Sequence, residues 1–492
     1  MNPLSRRLSG PKPSAGATTL VETLPVVVSA HPHAPLHNPA TIRARCAGVL
    51  NAVEQGVSPS FKLKRDALPP LADRVAALTR QRFPDLVVPL HSRWRQLETG
   101  GASRKDELNR RLEGRLPAEV ARVQVDMVVI SCLLSGGAGA NWIYSESAAL
   151  SAAALPAAAP EDLLALLDQA AARRPTPALE EPAVEKPALA SPGAPAATFR
   201  QAEGLAVASF RAFMAGAFSS QAGDPQRADA SALRHVDAAA LRAIFQSSPS
   251  NPVVGLDARA AMLARLGHAL QEEAARDTAR GWPAQARPGL LFDRITGYGT
   301  RHEVSATEVL GHVLRVFLSV WPSGSKVQGL PAGDVWPHLW AGSAVAGQQQ
   351  DRTTEGWVPF HQLAQSITCS LLEPLNWAGI RVTGVEALTA LPDARNAGLL
   401  IDAGVIVPRD PRLLARTWKP QDELVIEWRA MAVVLLDELA VLVRQRLGLS
   451  AEQLPMPCFM EGGSAAAGVE WARSLRPDGT PPVSGEGDGI LV

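Results

Sequence analysis

The chain has 492 residues, of which 46% are hydrophobic and 20% are charged, a composition typical of a folded globular protein. It holds 48 Lys and Arg residues against 48 Asp and Glu residues, so its net charge gives no reason to expect a nucleic-acid partner. No apolar run reaches the roughly 20 residues that span a bilayer, and prolines stand where a signal peptide would be apolar. These features predict a cytoplasmic protein without a membrane segment.

The N-terminal third begins without order and then becomes helical. Residues 1–40 are rich in Pro, Ser, Ala and His and lack a helical period, which predicts a disordered tail. From 41 to 150 the apolar residues recur at helical spacing, so this segment is predicted to form an N-terminal helical lobe. Thr41 is the expected N-cap of its first helix. Helices are predicted over 42–55, 68–82 and 117–134.

The rest of the chain contains an insertion, a main domain and a tail. Ala and Pro dominate residues 151–198, which predicts a flexible insertion with one short helix over 161–173. Residues 199–465 are expected to form the main helical domain with the active site, and 466–492 a C-terminal tail. The best strand-like stretch, 399–407, is predicted to be a short hairpin. Further helices are predicted over 237–245, 257–274, 306–321, 359–375 and 426–447.

Motifs for metals, nucleotides and serine nucleophiles do not occur in the sequence. The four cysteines lie far apart and form no C-x-x-C pair, so we expect buried, reduced thiols. The histidines and acids lack the spacing of catalytic zinc motifs, so neither a metal nor another cofactor is expected. Gly136, Gly137 and Gly139 follow a predicted helix rather than a strand, which favours a plain turn over a phosphate-binding loop.

Many stretches of the sequence resemble the uracil-catabolism protein family, which is found beside pyrimidine-degradation genes. The resemblance covers the chain from about 41 to 465 outside the insertion, and it implies a role in pyrimidine degradation with a small nucleoside- or nucleotide-derived substrate. The matching stretches are TIRARCAGVL, FPDLVVPLHSRW, LLSGGAGANWIYSE, EGLAVASFRAFMAGAFS, SNPVVGLDARAAML, RPGLLFDR, VPFHQLAQSITCSLLEPLNWAGI, LPDARNAGLLIDAGV and DELVIEWRA.

The C-terminal half is also similar, more distantly, to the queuosine-phosphate N-glycosidase (queuosine salvage) family. Blocks like F-Y-K-R-A-Q, A-D-Y-R-V-P-Q and E-I-E-I-R-A in that family correspond here to 360–365, 392–396 and 426–430. This resemblance implies a mainly α fold like that of DNA glycosylases, with minor short β-hairpins, and cleavage of a ribosyl–nitrogen bond. The chain departs from these patterns at Gln362, Ala394 and Ser135, where a lysine, an aromatic and an acidic residue are usual.

Two carboxylates are candidates for this chemistry. Breaking an N-ribosyl bond builds positive charge on the sugar, which calls for a fixed carboxylate nearby and a donor to the departing nitrogen. Asp393 is the first choice for the carboxylate, held by Arg395; the alternative is a helix cap with Arg395 paired on the surface. Glu427 would fix a substrate hydroxyl or orient Asp393; the alternative is that Glu427 and Arg429 form a buried or capping ion pair.

Other side chains are candidates for contacts with the substrate. His361 and Gln365 share one helical face, and Trp142 and Tyr144 have rings that would stack on a base; for all four the alternative is packing in the core. Asn396 completes the block around Asp393. The predicted substrate-binding residues are therefore His361, Gln365, Arg395, Asn396, Arg429, Trp142 and Tyr144. A Pro/Gly-rich loop with Asp334, Trp336, His338 and Trp340 is a further candidate for a polar pocket, or for plain packing.

Three functions follow in order of preference. The first is a metal-independent hydrolase of N-glycosyl compounds that acts on a ribosylurea-type or nucleotide intermediate of uracil breakdown. The second, favoured by the departures at Gln362, Ala394 and Ser135, is a non-catalytic helical binding or assembly protein with pathway enzymes as partners. The third, nucleic-acid binding, rests on fold analogy alone and is opposed by the zero net charge.

Overall fold

The computed structural model describes residues 34–139, 141–146, 197–321, 325–342, 354–476 and 478–485. Most of them are helical, and the strands are short and paired two by two, which confirms the mainly α prediction. The tail up to residue 33, the insertion as far as 196 and the helix predicted over 161–173 lie outside the described residues. Within the described ranges, no helix is long and apolar enough to cross a membrane.

The N-terminal lobe contains helices whose starts are set by proline. Pro39, Pro69 and Pro117 lie in first turns, where a missing N–H leaves no helical hydrogen bond unmade. The prediction that Thr41 caps the first helix is wrong: that helix starts at Pro39, and the Asn38 side chain accepts a hydrogen bond from the Ala40 amide. The helices of this lobe are α1 Pro39–Glu54, α2 Leu68–Arg82, α3 Arg93–Leu97, α4 Arg104–Arg111 and α5 Pro117–Leu133.

The helices after the insertion follow most of the predicted segments. The predicted helix over 359–375 begins only at Gln362, because residues 357–359 form a strand, whereas the one over 426–447 begins three residues earlier, at Glu423. These helices are α6 Gln201–Met214, α7 Ala230–Leu233, α8 Ala238–Ile244, α9 Leu256–Ala279, α10 Leu290–Ile295, α11 Ala306–Phe317, α12 Gln362–Trp377, α13 Asn396–Asp402, α14 Glu423–Leu447, α15 Met456–Phe459 and α16 Ala465–Leu475.

Two predictions near the C-terminus are wrong. The stretch 399–407 is no hairpin: its first part belongs to α13, and only 406–408 is a strand. A continuous apolar run fits a buried helix as well as a strand, so the spacing of its apolar residues could not distinguish the two. Residues 466–475, expected in the tail, belong to α16. Gly468 lets that helix approach α13 closely, since an added Cβ would lie 2.2 Å from the Arg395 carbonyl oxygen.

The strands form two-stranded sheets, several of which join distant parts of the chain. The sheet of β1 and β10 connects the N-terminal lobe to the main domain. The pairs are β1 Phe61–Leu63 with β10 Ile406–Pro408, β2 Ile143–Glu146 with β3 Ala197–Arg200, β4 Glu303–Ser305 with β9 Arg381–Thr383, β5 Lys326–Val327 with β6 Leu330–Pro331, β7 Val335–Pro337 with β8 Trp357–Pro359, and β11 Thr417–Trp418 with β12 Ser484–Gly485.

The apolar core is shared by the two segments that flank the insertion. One large cluster contains Ile130 of α5 and Leu372 of α12, and a second contains Val75 of α2 and Leu439 of α14. All four cysteines are buried and free, as expected for reduced thiols. Because each cluster draws on both segments, burial of the core requires that the lobes pack together.

Candidate functional site

Charged side chains from both lobes meet beside the start of α13. Arg93 comes from α3, Glu203 from α6, Arg259 from α9 and Arg395 from the residue before α13. The charges of Glu203, Arg259 and Arg395 all act on Arg93. We call these four residues the inter-lobe cluster.

Arg93 is a buried member of this cluster, at 4% exposure. Its Nε donates to the Ser131 hydroxyl at 2.7 Å, and its Nη1 donates to the Ala202 carbonyl at 3.2 Å and to the Gln96 side chain. Within the described residues its Nη2 is buried without a hydrogen-bond partner. The pKa of Arg93 is lowered to about 10, mainly by burial; Cys132 and Glu203 oppose this shift, and the charges of Arg395 and Arg259 add to it. The guanidinium is therefore a buried cation with neutral acceptors only.

The other arginines of the cluster differ in exposure and in partners. Arg395 Nη2 lies 3.5 Å from Glu203 Oε1, and these side chains are 30% and 38% exposed, so the cluster opens to solvent on this side. Arg259 is fully buried and donates to the carbonyls of Leu134, Gly137 and Val254. The glycine-rich turn thus contributes a carbonyl oxygen to Arg259.

Asp393 lies two residues before Arg395 and caps the first turn of α13. Its Oδ1 accepts from the backbone amides of Arg395 and Asn396 at 2.9 and 2.8 Å, and its Oδ2 accepts from Asn396 Nδ2 at 3.0 Å. Asn396 is in turn fixed by the Ser464 hydroxyl, 2.7 Å from its Oδ1. The Arg395 guanidinium lies against Glu203 rather than Asp393. This geometry favours the capping alternative, and it also fixes the carboxylate beside the inter-lobe cluster.

The second carboxylate, Glu427, lies elsewhere, on the first turns of α14. It is fully buried, its Oε2 accepts from the Ser58 hydroxyl at 2.6 Å, and its Oε1 has no hydrogen-bond partner among the described residues. Burial raises the pKa of Glu427 to about 7. His338 Nε2 lies 3.8 Å from Glu423 Oε1 beside it. We call Ser58, His338, Glu423 and Glu427 the Glu427 cluster; none of its hydrogen bonds reaches Asp393.

The Glu427 cluster has the residue types of a cation site. Donor atoms of His338, Glu423 and Glu427 all lie within 4.8 Å of one another. However, the Trp340 amide donates to His338 Nδ1 at 3.3 Å, which places the proton of a neutral ring on Nε2. Nε2 is then a donor toward the two carboxylates rather than a metal ligand. The residue types fit a divalent cation but this tautomer does not, and metal independence stays a prediction.

Arg429 belongs to a buried ion pair on another side of α14. It donates to both oxygens of Asp334, at 2.9 and 2.7 Å, and lies 4.1 Å from the centre of the Phe360 ring. Burial opposes ionisation, but the charge and hydrogen bonds of Arg429 outweigh it and lower the pKa of Asp334. Gln362 Oε1 also accepts from Arg429 at 3.3 Å. A lysine at position 362 could not accept that bond.

The side chains of His361 and Gln365 are engaged inside the protein. Gln365 donates to the Phe360 carbonyl at 3.0 Å and accepts from the Thr389 hydroxyl at 2.8 Å. His361 is fully buried at the start of α12, with Nε2 3.2 Å from the Leu36 carbonyl. These contacts match the packing alternative, and contact with a substrate stays a prediction.

The aromatic candidates also lie in the core. Trp142 is fully buried, donates to the Phe245 carbonyl at 2.9 Å and leaves no room for a Cβ at Gly204. Tyr144 is 2% exposed and its ring centre lies 6.4 Å from that of Trp142. Neither ring offers an open face for a base.

The sequence analysis missed Arg93, Glu203 and Arg259, although a signal was present. The members of the inter-lobe cluster lie in four of the stretches that carry the family resemblance: FPDLVVPLHSRW, EGLAVASFRAFMAGAFS, SNPVVGLDARAAML and LPDARNAGLLIDAGV. A fifth, LLSGGAGANWIYSE, supplies carbonyls to Arg259. Five of the nine stretches that carry the family resemblance therefore meet at one place in the fold.

Comparisons with known proteins agree with this resemblance. The model of a family described as a protein of unknown function, DUF1688, matches residues 35–154 and 189–492. The chain is similar to the protein urg3 of Schizosaccharomyces pombe, with 28% identity over 92% of this chain and 96% of the relative. It is also similar to the uracil catabolism protein 4 of Lachancea kluyveri, with 28% identity over 92% of this chain and 97% of the relative. The chain thus belongs to the DUF1688 family, and its resemblance to uracil-catabolism proteins is confirmed.

Proposed function

We propose that this protein is a hydrolase of N-ribosyl bonds in uracil catabolism, acting on a ribosylurea-type or nucleotide intermediate. The names of the relatives provide the pathway, and the similarity to queuosine salvage motifs provides the reaction. One observation carries the proposal: Asp393 is held by three donors at the edge of the inter-lobe cluster, where the family's stretches converge.

In this reaction the bond between the sugar C1′ and a nitrogen breaks, and its electron pair leaves with the nitrogen. Positive charge grows on C1′, and a carboxylate fixed in advance stabilises it without reorganisation. Asp393 has that role in our proposal, with its amide and Asn396 donors as positioning groups. Water supplies the hydroxyl for C1′ and the proton for the leaving nitrogen. Arg395 binds the substrate at the open side of the cluster.

Glu427 remains the second carboxylate of the proposal. Its pKa of about 7 suits a group that exchanges a proton at neutral pH. No hydrogen bond links Glu427 or its neighbours in the cluster to Asp393. We therefore propose a separate role for Glu427, such as binding a substrate hydroxyl. We expect its loss to slow turnover less than the loss of Asp393.

The decisive experiment is to incubate the pure protein with ribosylurea, ribosylurea phosphate, uridine and uridine monophosphate. Release of urea or free base is expected for one of them. Asp393→Asn should lower that rate by roughly a hundredfold or more, the effect of losing one transition-state contact of about 3 kcal/mol. Its melting temperature should fall only slightly, because asparagine also caps helices and loses only the hydrogen bond from Asn396 Nδ2.

Asp410 offers a matched control for this variant. It also caps a short helix, accepting from the Arg412 amide at 2.9 Å, but lies outside the proposed site. Asp410→Asn should leave turnover unchanged. Full turnover of Asp393→Asn would remove Asp393 from the mechanism and make Glu427 the next carboxylate to test.

The second candidate function is a non-catalytic binding or assembly protein that works with pathway enzymes. The capping contacts of Asp393 favour it, because they account for this carboxylate without any reaction. It predicts binding of one of the four compounds, or of a pathway enzyme, with no product released from any of them.

A further inference from the structure

Two arginines of the inter-lobe cluster lie near a single carboxylate, Glu203, whose charge acts on Arg93. Arg395 Nη2 lies 3.5 Å from Glu203 Oε1, and these side chains are 30% and 38% exposed, so this ion pair is loose. Glu203 therefore pairs with Arg395 on the open side, and Arg93 is the buried cation that needs an anion.

Four other buried arginines have a direct carboxylate partner, and Arg93 has none among the described residues. Arg104 is paired with Glu146, Arg287 with Asp126, Arg294 with Asp277 and Arg429 with Asp334. Arg93 is as deeply buried as these residues, yet its hydrogen bonds end on a hydroxyl, an amide oxygen and a backbone carbonyl. A buried cation without a counter-ion is unfavourable, because nothing compensates for its loss of hydration. A bound anion would supply that compensation.

The geometry of the donors selects the kind of anion. A guanidinium offers N–H groups in a fixed fork that matches the oxygens of phosphate. Arg93 Nη2 is a donor still available, and Arg395 is 30% exposed on the open side. A tetrahedral phosphate dianion has more acceptor oxygens for these two donors than a carboxylate has.

We propose that the inter-lobe cluster binds the phosphate of a phosphomonoester, with Arg93 at its base and Arg395 at its mouth. Glu203 competes with the phosphate for Arg395 and moves aside on binding. That this phosphate belongs to the molecule being hydrolysed rests on the proposed function. The binding itself does not, and it is measured without turnover.

Calorimetric titration of the full chain with ribose 5-phosphate, inorganic phosphate, acetate and ribose tests the proposal. Saturable binding is expected for the two phosphates, and acetate and ribose should not bind. Arg395→Gln should weaken phosphate binding at least tenfold. Glu203→Gln should tighten it several-fold, because it removes the competing carboxylate. Arg412→Gln, on an exposed arginine paired with Asp410, is the control and should change nothing.

Arg93→Gln should abolish phosphate binding, and the surface variants at Arg395 and Glu203 keep the test valid if that protein does not fold. Absence of phosphate binding at concentrations up to about 10 mM, weaker than any useful affinity for a metabolite, would overturn the proposal. So would acetate binding as tightly as phosphate, or equal phosphate affinity in the wild type, Arg395→Gln and Glu203→Gln. Phosphate binding without hydrolysis of any nucleoside would support this site and count against the proposed reaction alone.

Discussion

The start of α14 and the inter-lobe cluster bury charged groups in opposite ways. At the start of α14, Arg429 is neutralised by Asp334, and Glu427 is neutralised by a proton near pH 7. In the inter-lobe cluster, Arg93 has no carboxylate partner among the described residues, and its pKa of about 10 keeps it charged at neutral pH. The charges of the first region are neutralised within the folded chain, whereas in our proposal the charge of Arg93 is neutralised by a bound phosphate.

The largest expected effect concerns the complete region. Asp334→Asn leaves Arg429 buried without a counter-ion and should lower the free energy of unfolding by about 3 to 5 kcal/mol. Urea denaturation at pH 7 measures it. Asp402→Asn is a weaker control, since its partner Arg476 is 25% exposed and remains partly hydrated. A loss below 1 kcal/mol in Asp334→Asn would show that Arg429 does not depend on this pair.

Glu427 should give the next largest effect, and it depends on pH. Its folded pKa of about 7 lies above the unfolded value of 4.5, so the folded state holds the proton more tightly. The resulting stabilisation is full below pH 4.5 and is lost as the pH rises through 7, by up to about 3 kcal/mol. Glu427→Gln should abolish this part of the pH dependence, so the variant gains stability relative to the wild type between pH 5 and 8.

Melting curves across that pH range, with exposed Glu113 changed to Gln as the control, decide the point. Parallel pH profiles for the wild type and Glu427→Gln would mean that this carboxyl is ionised in the folded protein.

Arg93 should behave unlike the paired arginines. Arg93→Met removes a charge that has no counter-ion, so the loss of its hydrogen bonds and the relief of its burial should nearly cancel, with a net change of about 1 kcal/mol or less. With phosphate present, the wild type should gain melting temperature and the variant should not. A loss as large as that of Asp334→Asn would make Arg93 a structural residue and erase the contrast between the regions.

The smallest effect is expected for metal removal. Because the His338 tautomer turns Nε2–H toward the carboxylates, a chelator should change neither melting temperature nor turnover. Restoration of lost activity by one added divalent cation would show that the ring adopts the other tautomer and that the Glu427 cluster is a metal centre.

The features of the fold and site that the sequence predicted correctly are those that depend on residues close together in the chain. The limits of α2 and α5 follow from apolar periodicity and first-turn prolines, and the capping alternative for Asp393 follows from residues only two and three positions away. The hairpin over 399–407 could not be excluded, because burial of Leu399 and Leu400 depends on α14 and α16. The sequence shows that Arg93 is charged. It does not show which groups surround Arg93, because these come from chain segments that only folding brings together.

The close contact at Gly468 links the proposed site to the order of synthesis. α16 packs on the backbone of Arg395 with no room for a side chain at Gly468, and the hydroxyl of Ser464 fixes Asn396. Both supports follow the inter-lobe cluster in the chain, and Ser464 lies 68 residues beyond Asn396. During synthesis every member of the inter-lobe cluster is therefore made before the supports that hold Arg395 and Asn396 in place.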